Sequence, residues 1–130
     1  MLIGHSLGGI VSAAIAQEVP VAKIVTLGTP FGGSFVASVM SWFTPSQLMK
    51  DVAYQSPIIV SLKTNPPKIP MLSFVTDAGP TVLGDRTDGV VTVKSQMALK
   101  GPEYRIVNYT HFEVLMTPDI AHAINEFVFN

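Results

Sequence analysis

Cysteine is absent from this chain of 130 residues. Its absence excludes disulfide bonds, thiolate metal sites and a cysteine nucleophile. The cellular compartment stays open, because secreted proteins can lack cysteine too, and no other feature of the sequence indicates a localisation. Any catalytic site must therefore be built from other residue types.

Charged residues are scarce, at 13% of the chain, against about 25% in typical soluble domains. Eight Lys and Arg against nine Asp and Glu give a formal net charge of -1, which provides neither a basic surface for nucleic acid nor a polybasic membrane anchor. Hydrophobic residues make up 48%, yet no uninterrupted apolar run approaches the roughly 18 residues of a membrane span. We expect a large buried core, no nucleic-acid partner and no transmembrane segment.

Short apolar runs alternate with helical patterns along the chain, which is typical of an α/β architecture. A helix is predicted over residues 7–18, and a second one after Thr117, which offers a capping hydroxyl before Pro118 and Asp119. Strands are predicted at residues 1–3, 23–27, 71–76 and 104–107. Because no repeat or linker interrupts this order, we expect one domain with a parallel sheet flanked by helices.

The first strand runs into Gly4-His5-Ser6-Leu7-Gly8, which fits the pattern G-x-S-x-G. Between a strand and a helix, this pattern predicts a sharp turn in which a Cβ at Gly4 or Gly8 would collide with neighbouring elements. Such a turn exposes the Ser6 hydroxyl at the helix N-terminus, where the Leu7 N–H can donate to a developing oxyanion. We therefore predict that Ser6 is a nucleophile. The alternative is that Ser6 only caps the helix.

A serine nucleophile needs a base, and the chain has three histidines. His5 precedes the serine and should point away from it, which indicates a packing role, and His122 should lie on the surface of the last helix. His111 follows the strand at 104–107 in a short loop, at the strand ends where α/β proteins build their sites. We predict that His111 is the base. The alternative is an ordinary solvated loop residue.

The base needs an orienting acid, and the segment after the strand at 71–76 offers Asp77, Asp85 and Asp88. Asp88, which precedes a Gly-Val-Val sequence, is the favoured acid. Asp77 is the second choice, and Asp85 could pair with Arg86 or bind nothing. The alternative for each of the three is a residue that only forms a turn.

Four stretches of the chain resemble the esterase and lipase branch of the α/β-hydrolase superfamily, and they come in the order of that family. They are GHSLGG at 4–9, TLGTPFGGS at 26–34, TDGVVTVKS at 87–95 and THFEVL at 110–115. Two positions depart from the family pattern: Phe31 stands where a histidine is usual, and Thr92 where a proline is frequent. Neither is a position of the catalytic triad.

The resemblance implies that Ser6 is the nucleophile, Asp88 the acid, His111 the base and the Leu7 N–H one oxyanion donor. It implies a hydrolase that cleaves a small-molecule or lipid ester through an acyl-enzyme, with no metal and no cofactor. A thioesterase or acyltransferase would use the same triad, because the shape of the pocket selects the acyl acceptor. A truncated, inactive or binding-only hydrolase-like fragment is the further alternative.

The segment at 34–64 does not belong to a minimal sheet, and in similar lipases an insertion here forms a helical cap or lid over the nucleophile. Short apolar helical stretches are predicted within it, together with the single tryptophan of the chain. Ordinary core packing is the alternative to a lid that faces the substrate. If the segment is a lid, we expect Met40, Trp42 and Phe43 to line an acyl pocket.

Compared with the resembled fold, the chain corresponds to strands 5–8, the C-terminal portion of a single α/β-hydrolase domain. The resemblance then implies that the loop supplying the second oxyanion N–H is missing. The absent strands would leave the strand at 23–27 near an exposed edge of the sheet. We expect the missing N-terminal half or an oligomer to cover that edge, and the isolated chain to be insoluble, oligomeric or nearly inactive.

Overall fold

The computed structural model of the protein describes residues 1–33 and 55–130. Its strands are β1 (Leu2–His5), β2 (Ile24–Leu27), β3 (Met71–Thr76) and β4 (Glu103–Val107). Its helices are α1 (Leu7–Glu18), α2 (Pro57–Thr64), α3 (Val93–Gln96) and α4 (Pro118–Phe129), with a 3₁₀ turn at Glu113–Leu115.

The four strands form one parallel sheet in the order β1-β2-β3-β4. In the register of the first pair, His5 lies opposite Leu27. This arrangement confirms the predicted α/β fold with a parallel sheet flanked by helices. Because all strands are parallel, their carboxyl ends lie at one edge, and the loops that follow β1, β3 and β4 meet there.

The sheet buries apolar side chains on both faces, as the period of two along a strand requires. Ile24 and Met71 point to one face, while their neighbours Val25 and Leu72 point to the other. The first face packs against α1 and α2, with Ile10, Ala13, Phe31, Ile59, Leu62 and Leu99 in the same cluster. The second packs against α4 and the 3₁₀ turn, with Leu27, Phe74, Val114 and Ile120.

The inner strands are β2 and β3, which are buried at every residue. Within the described residues, the outer strands are β1 and β4, which carry the half-exposed side chains of Ile3 and Ile106. The strand predicted at 23–27 is therefore one position in from an edge, and β1 itself forms that edge. None of the helices in the described ranges is both long and apolar enough to cross a bilayer.

Helix α4 begins at Pro118, as predicted, but the prediction that the Thr117 hydroxyl caps this helix is wrong. The Thr117 side chain makes no hydrogen bond to the helix N-terminus; its hydroxyl instead donates to the carbonyl of Glu113 at 2.8 Å. This bond orients the Thr117 side chain toward the preceding 3₁₀ turn. At the other end of α4, Lys23 Nζ donates to the carbonyls of Phe127 and Val128, at 2.8 and 3.1 Å, which ties the helix to the start of β2.

Candidate active site

Ser6 occupies the turn between β1 and α1 in a backbone conformation that side-chain-bearing residues rarely adopt. Its φ is 54° and its ψ is -123°, a strained region that costs on the order of 1–3 kcal/mol. The Ser6 N–H donates to the carbonyl of Leu27 at 2.9 Å, which anchors the turn to β2. The Ser6 side chain makes no capping hydrogen bond to α1, so no contact supports the alternative in which Ser6 acts only as a helix cap.

The turn is as tight as the glycines predict. A collision is confirmed for a Cβ at Gly4, but the collision predicted at Gly8 is wrong. A Cβ on Gly4 would overlap the carbonyl of Gly8, whereas a Cβ on Gly8 would meet nothing within 4 Å. The second close approach falls on Gly9, where a Cβ would overlap the side chain of Thr29. Successive helical residues are rotated by about 100° around the axis, and it is Gly9 that faces the loop after β2.

Leu7 is the first residue of α1, directly after the predicted nucleophile. The first four N–H groups of a helix have no carbonyl partner within that helix, and the helix dipole adds positive potential at the same end. The Leu7 N–H is therefore suitably placed to donate to an anionic oxygen that forms near Ser6. Its role as an oxyanion donor stays a prediction.

Asp88 lies in the loop between β3 and α3, with only 1% of its surface exposed. One carboxylate oxygen accepts hydrogen bonds from His111 Nδ1 at 2.7 Å and from the Thr76 hydroxyl at 2.5 Å. The other accepts from the N–H groups of Val90 and Val91, at 2.9 and 2.7 Å. Burial alone would raise the pKa of Asp88, but these hydrogen bonds together hold that pKa below its usual value. Asp88 is thus an ionised carboxylate at neutral pH.

His111 follows β4 and is 97% buried, with 3% of its surface exposed, so the alternative of a solvated loop residue is wrong. Its N–H donates to the carbonyl of Asp88 at 3.0 Å, which adds a backbone contact to the side-chain contact between the same two residues. Since the Asp88 carboxylate can only accept, Nδ1 of His111 must carry the proton. In the neutral imidazole, Nε2 is then the nitrogen without a hydrogen, which is the atom that a general base uses.

The loop that carries His111 is closed by a reciprocal pair of hydrogen bonds between Thr110 and Glu113. The Thr110 N–H donates to the Glu113 carboxylate at 2.9 Å, and the Glu113 N–H lies 3.4 Å from the Thr110 hydroxyl. This is the pattern of a capping box, with His111 held inside it. The hydrogen bond from the Thr110 N–H also holds the pKa of Glu113 below its usual value.

Gly28, the residue after β2, lies close to both His111 and Asp88. A Cβ on Gly28 would lie 3.1 Å from His111 Nδ1 and 3.3 Å from the Asp88 carboxylate. Gly28 directly follows Leu27, whose carbonyl accepts the Ser6 N–H. The structure therefore brings Asp88 and His111 into contact and places Ser6 beside the strand end over which they lie. Their catalytic roles stay predictions.

Two residues that support the acid were not singled out from the sequence. Thr76, the last residue of β3, donates its hydroxyl to Asp88. Gln96 of α3 is fully buried; its side-chain oxygen accepts from the Thr76 N–H at 2.9 Å, and its nitrogen donates to the Thr76 carbonyl at 2.8 Å. Only the position of Thr76 at a strand end could have indicated it, and nothing in the sequence around Gln96 distinguishes it from a surface glutamine.

The two other candidate acids and His122 take no part in this contact. Asp77 forms an ion pair with Arg86 at 2.7 Å, which corrects the suggested pairing of Arg86 with Asp85. Asp85 instead forms two backbone hydrogen bonds with Val82 in a tight turn. His122 is exposed on α4, as predicted.

The two departures from the family pattern have local structural roles. Phe31 is buried to 1% exposure in the core under α1 and α2. Thr92 is the N-cap of α3, and its hydroxyl accepts from the Ser95 N–H at 3.1 Å, a bond that a proline could not make. The predicted acyl-pocket residues Met40, Trp42 and Phe43 lie outside the described residues, as does most of the predicted lid.

A cavity of about 450 Å³ lies beside the loop that carries Asp88. Gly33, Val82, Val90 and Val91 are among its lining residues, whereas Ser6, Asp88 and His111 are not. Across residues 1–33 and 55–130, no group of three or more His, Asp or Glu side chains could hold a metal ion. No protein-family model matches this chain, and no curated protein matches it.

Proposed function

We propose that this chain carries the catalytic residues of a serine hydrolase that cleaves carboxylic esters through an acyl-enzyme. The observation that carries the proposal is the 2.7 Å contact between His111 Nδ1 and the buried Asp88 carboxylate. It occurs at the strand edge that also holds Ser6 in a strained turn at a helix N-terminus. A histidine oriented by a buried acid beside such a serine is the arrangement that activates a hydroxyl nucleophile.

Proton transfer in the proposed reaction follows from the hydrogen bonds of His111. With Nδ1–H donated to Asp88, the Nε2 lone pair accepts the proton of the Ser6 hydroxyl as Oγ attacks the ester carbonyl. The imidazolium that forms is stabilised by the ionised Asp88, whose lowered pKa keeps the proton on the histidine. His111 then returns the proton to the leaving alcohol.

The negative charge of the tetrahedral intermediate develops on the former carbonyl oxygen. In the proposal, the Leu7 N–H donates to this oxygen at the positive end of α1. Water then attacks the acyl-enzyme with His111 as the base, which releases the carboxylic acid and restores Ser6. Substrates are small-molecule or lipid esters, and the role of Met40, Trp42 and Phe43 in binding the acyl chain stays part of the proposal.

A fluorophosphonate probe tests the proposal directly, because it phosphonylates a serine only where a base activates the hydroxyl. The wild-type chain should be labelled at Ser6, as located by peptide mass spectrometry, and Ser6→Ala should not be labelled. Ser61→Ala is the matched control, because Ser61 is an exposed serine on α2 and its loss should leave labelling unchanged. Absence of labelling in a folded wild-type protein would refute the proposed function.

A further inference from the structure

The side chain of His5 makes direct contact with the predicted base, although the sequence suggested only a packing role. Its Nε2 lies 2.7 Å from the carbonyl oxygen of His111. The two imidazole rings lie 4.6 Å apart between centroids, at an angle of 50°. Phe112 packs beside both rings, with its centroid 6.0 Å from His5 and 5.2 Å from His111.

The partner of His5 determines where its proton lies. A carbonyl oxygen can only accept, so Nε2 of His5 must carry the hydrogen. Burial lowers the pKa of His5, and the charged or titratable groups that act on it are His111 and Asp88. His5 is therefore a neutral donor above about pH 7, since its pKa falls below the ordinary value of about 6.5.

This hydrogen bond joins the peptide of the nucleophile to the peptide of the base. His5 is the last residue of β1 and is bonded covalently to Ser6, whose backbone is anchored to Leu27. The His111 backbone is anchored on its other side by its N–H bond to Asp88. Because β1 and β4 lie at opposite edges of the sheet, this hydrogen bond connects the turn of Ser6 to the loop that follows the far strand.

The geometry points to His5 as a positioning residue that sets the distance between the Ser6 hydroxyl and the His111 imidazole. This inference rests on the proposed function. His5 takes no step in the proposed reaction; it acts by holding the His111 loop over the ends of β1 and β2. Misplacement of a catalytic group by about 1 Å is enough to slow a reaction by about 10²-fold, so the loss of one such contact can matter far more for rate than for folding.

Two amide variants of different length test the inference. In His5→Gln, the side-chain nitrogen is as many bonds from Cβ as Nε2 of histidine, so it can still donate to the His111 carbonyl. In His5→Asn it is one bond shorter and cannot reach. We expect fluorophosphonate labelling of Ser6 to slow about 10- to 100-fold in His5→Asn and to stay within about 3-fold of wild type in His5→Gln. Thermal unfolding of the two variants should be similar.

Two further measurements test whether His5 acts by positioning His111 or through a charge of its own. One of them does not depend on the proposed function. The ratio of wild-type to His5→Asn labelling rates should be constant between about pH 7 and 9, because a neutral donor does not titrate there. The low-field NMR resonance of the proton between His111 and Asp88 should be retained in His5→Gln and broadened in His5→Asn. Equal labelling rates in the two variants, or an unchanged resonance in both, would overturn the inference. Failure of the wild-type protein to label at Ser6 would instead refute the proposed function, and the resonance would still test the role of His5.

Discussion

Replacing Asp88 with asparagine should leave the fold intact and remove nearly all catalysis. The carboxylate accepts four short hydrogen bonds, two on each oxygen, and a longer one of 3.5 Å from the side-chain nitrogen of Gln96. An asparagine amide can keep its oxygen toward the N–H groups of Val90 and Val91. Its NH₂ group then faces the Thr76 hydroxyl and His111 Nδ1, both of which now have to accept.

The two acceptors differ in what this change demands of them. The Thr76 hydroxyl can rotate, because Gln96 offers a second acceptor 3.2 Å away. His111 has to move its proton from Nδ1 to Nε2, so the nitrogen needed by Ser6 is no longer a base. The wrong tautomer lowers kcat by about 10⁴-fold in serine triads, which corresponds to about 5.5 kcal/mol of transition-state stabilisation. The cost to folding should be smaller, about 1–3 kcal/mol.

The assay compares kcat/KM for a short p-nitrophenyl ester with thermal unfolding in the same preparations. Asp77→Asn is the matched control, because Asp77 also follows β3 but pairs with the exposed Arg86. We expect the control to change kcat/KM by less than about 2-fold, because the Asp77 carboxylate accepts from Arg86 and Asn108 and not from His111. A folded Asp88→Asn protein that retains more than a tenth of wild-type activity would contradict the assignment of Asp88 as the orienting acid.

Three further predictions concern stability. Gly4→Ala should prevent folding or lower the unfolding temperature sharply, because its Cβ would overlap the Gly8 backbone, whereas Gly8→Ala has open space and should stabilise α1 by about 0.5–1 kcal/mol; equal unfolding temperatures would contradict this. Thr29→Val should raise the free energy of unfolding by about 1 kcal/mol in urea titrations, because the buried Thr29 hydroxyl has no partner in the described part of the chain and valine keeps its shape; a loss of stability would show that the hydroxyl is used. The lowered pKa of Asp88 should make wild-type stability fall as pH decreases below the unfolded value of about 3.9, and Asp88→Asn should flatten that slope; parallel slopes would refute the linkage.

The sequence was sufficient to predict the elements whose signals are local. Alternating apolar runs located the strands, and the glycines around Ser6 located the turn, because both depend on residues close together in the chain. The contact between Asp88 and His111 could also be predicted from the sequence, since parallel strands bring the loops that follow them to one edge of the sheet. The sequence could not predict that Gly9, and not Gly8, must lack a side chain, because this depends on how α1 is rotated against Thr29.

The contacts that hold the candidate site together were largely hidden in the sequence. Gln96 lies on a short helix whose sequence carries no sign of burial, and only tertiary packing places its amide beneath Asp88. The sequence predicts that His5 points away from the nucleophile. It gives no sign that the His5 side chain reaches His111, 106 residues further along the chain. Side chains that bond to distant backbone groups leave no periodic signal, so such supporting contacts have to be found by structure.

The amide of Gln96 serves Thr76 as a neighbouring peptide group would, with one donor and one acceptor facing the backbone N–H and carbonyl. The Gln96 side chain thus pairs with the last backbone groups of β3 as a neighbouring strand would, although Gln96 belongs to α3, the helix that Thr92 caps. A glutamate at this position has nearly the same shape but no N–H group, and it would add a second negative charge beside the acid. Replacing Gln96 with glutamate, far from Ser6 in the chain, would thus remove a hydrogen bond at the end of β3. It would also disfavour the ionised form of Asp88, on which the proposed chemistry depends.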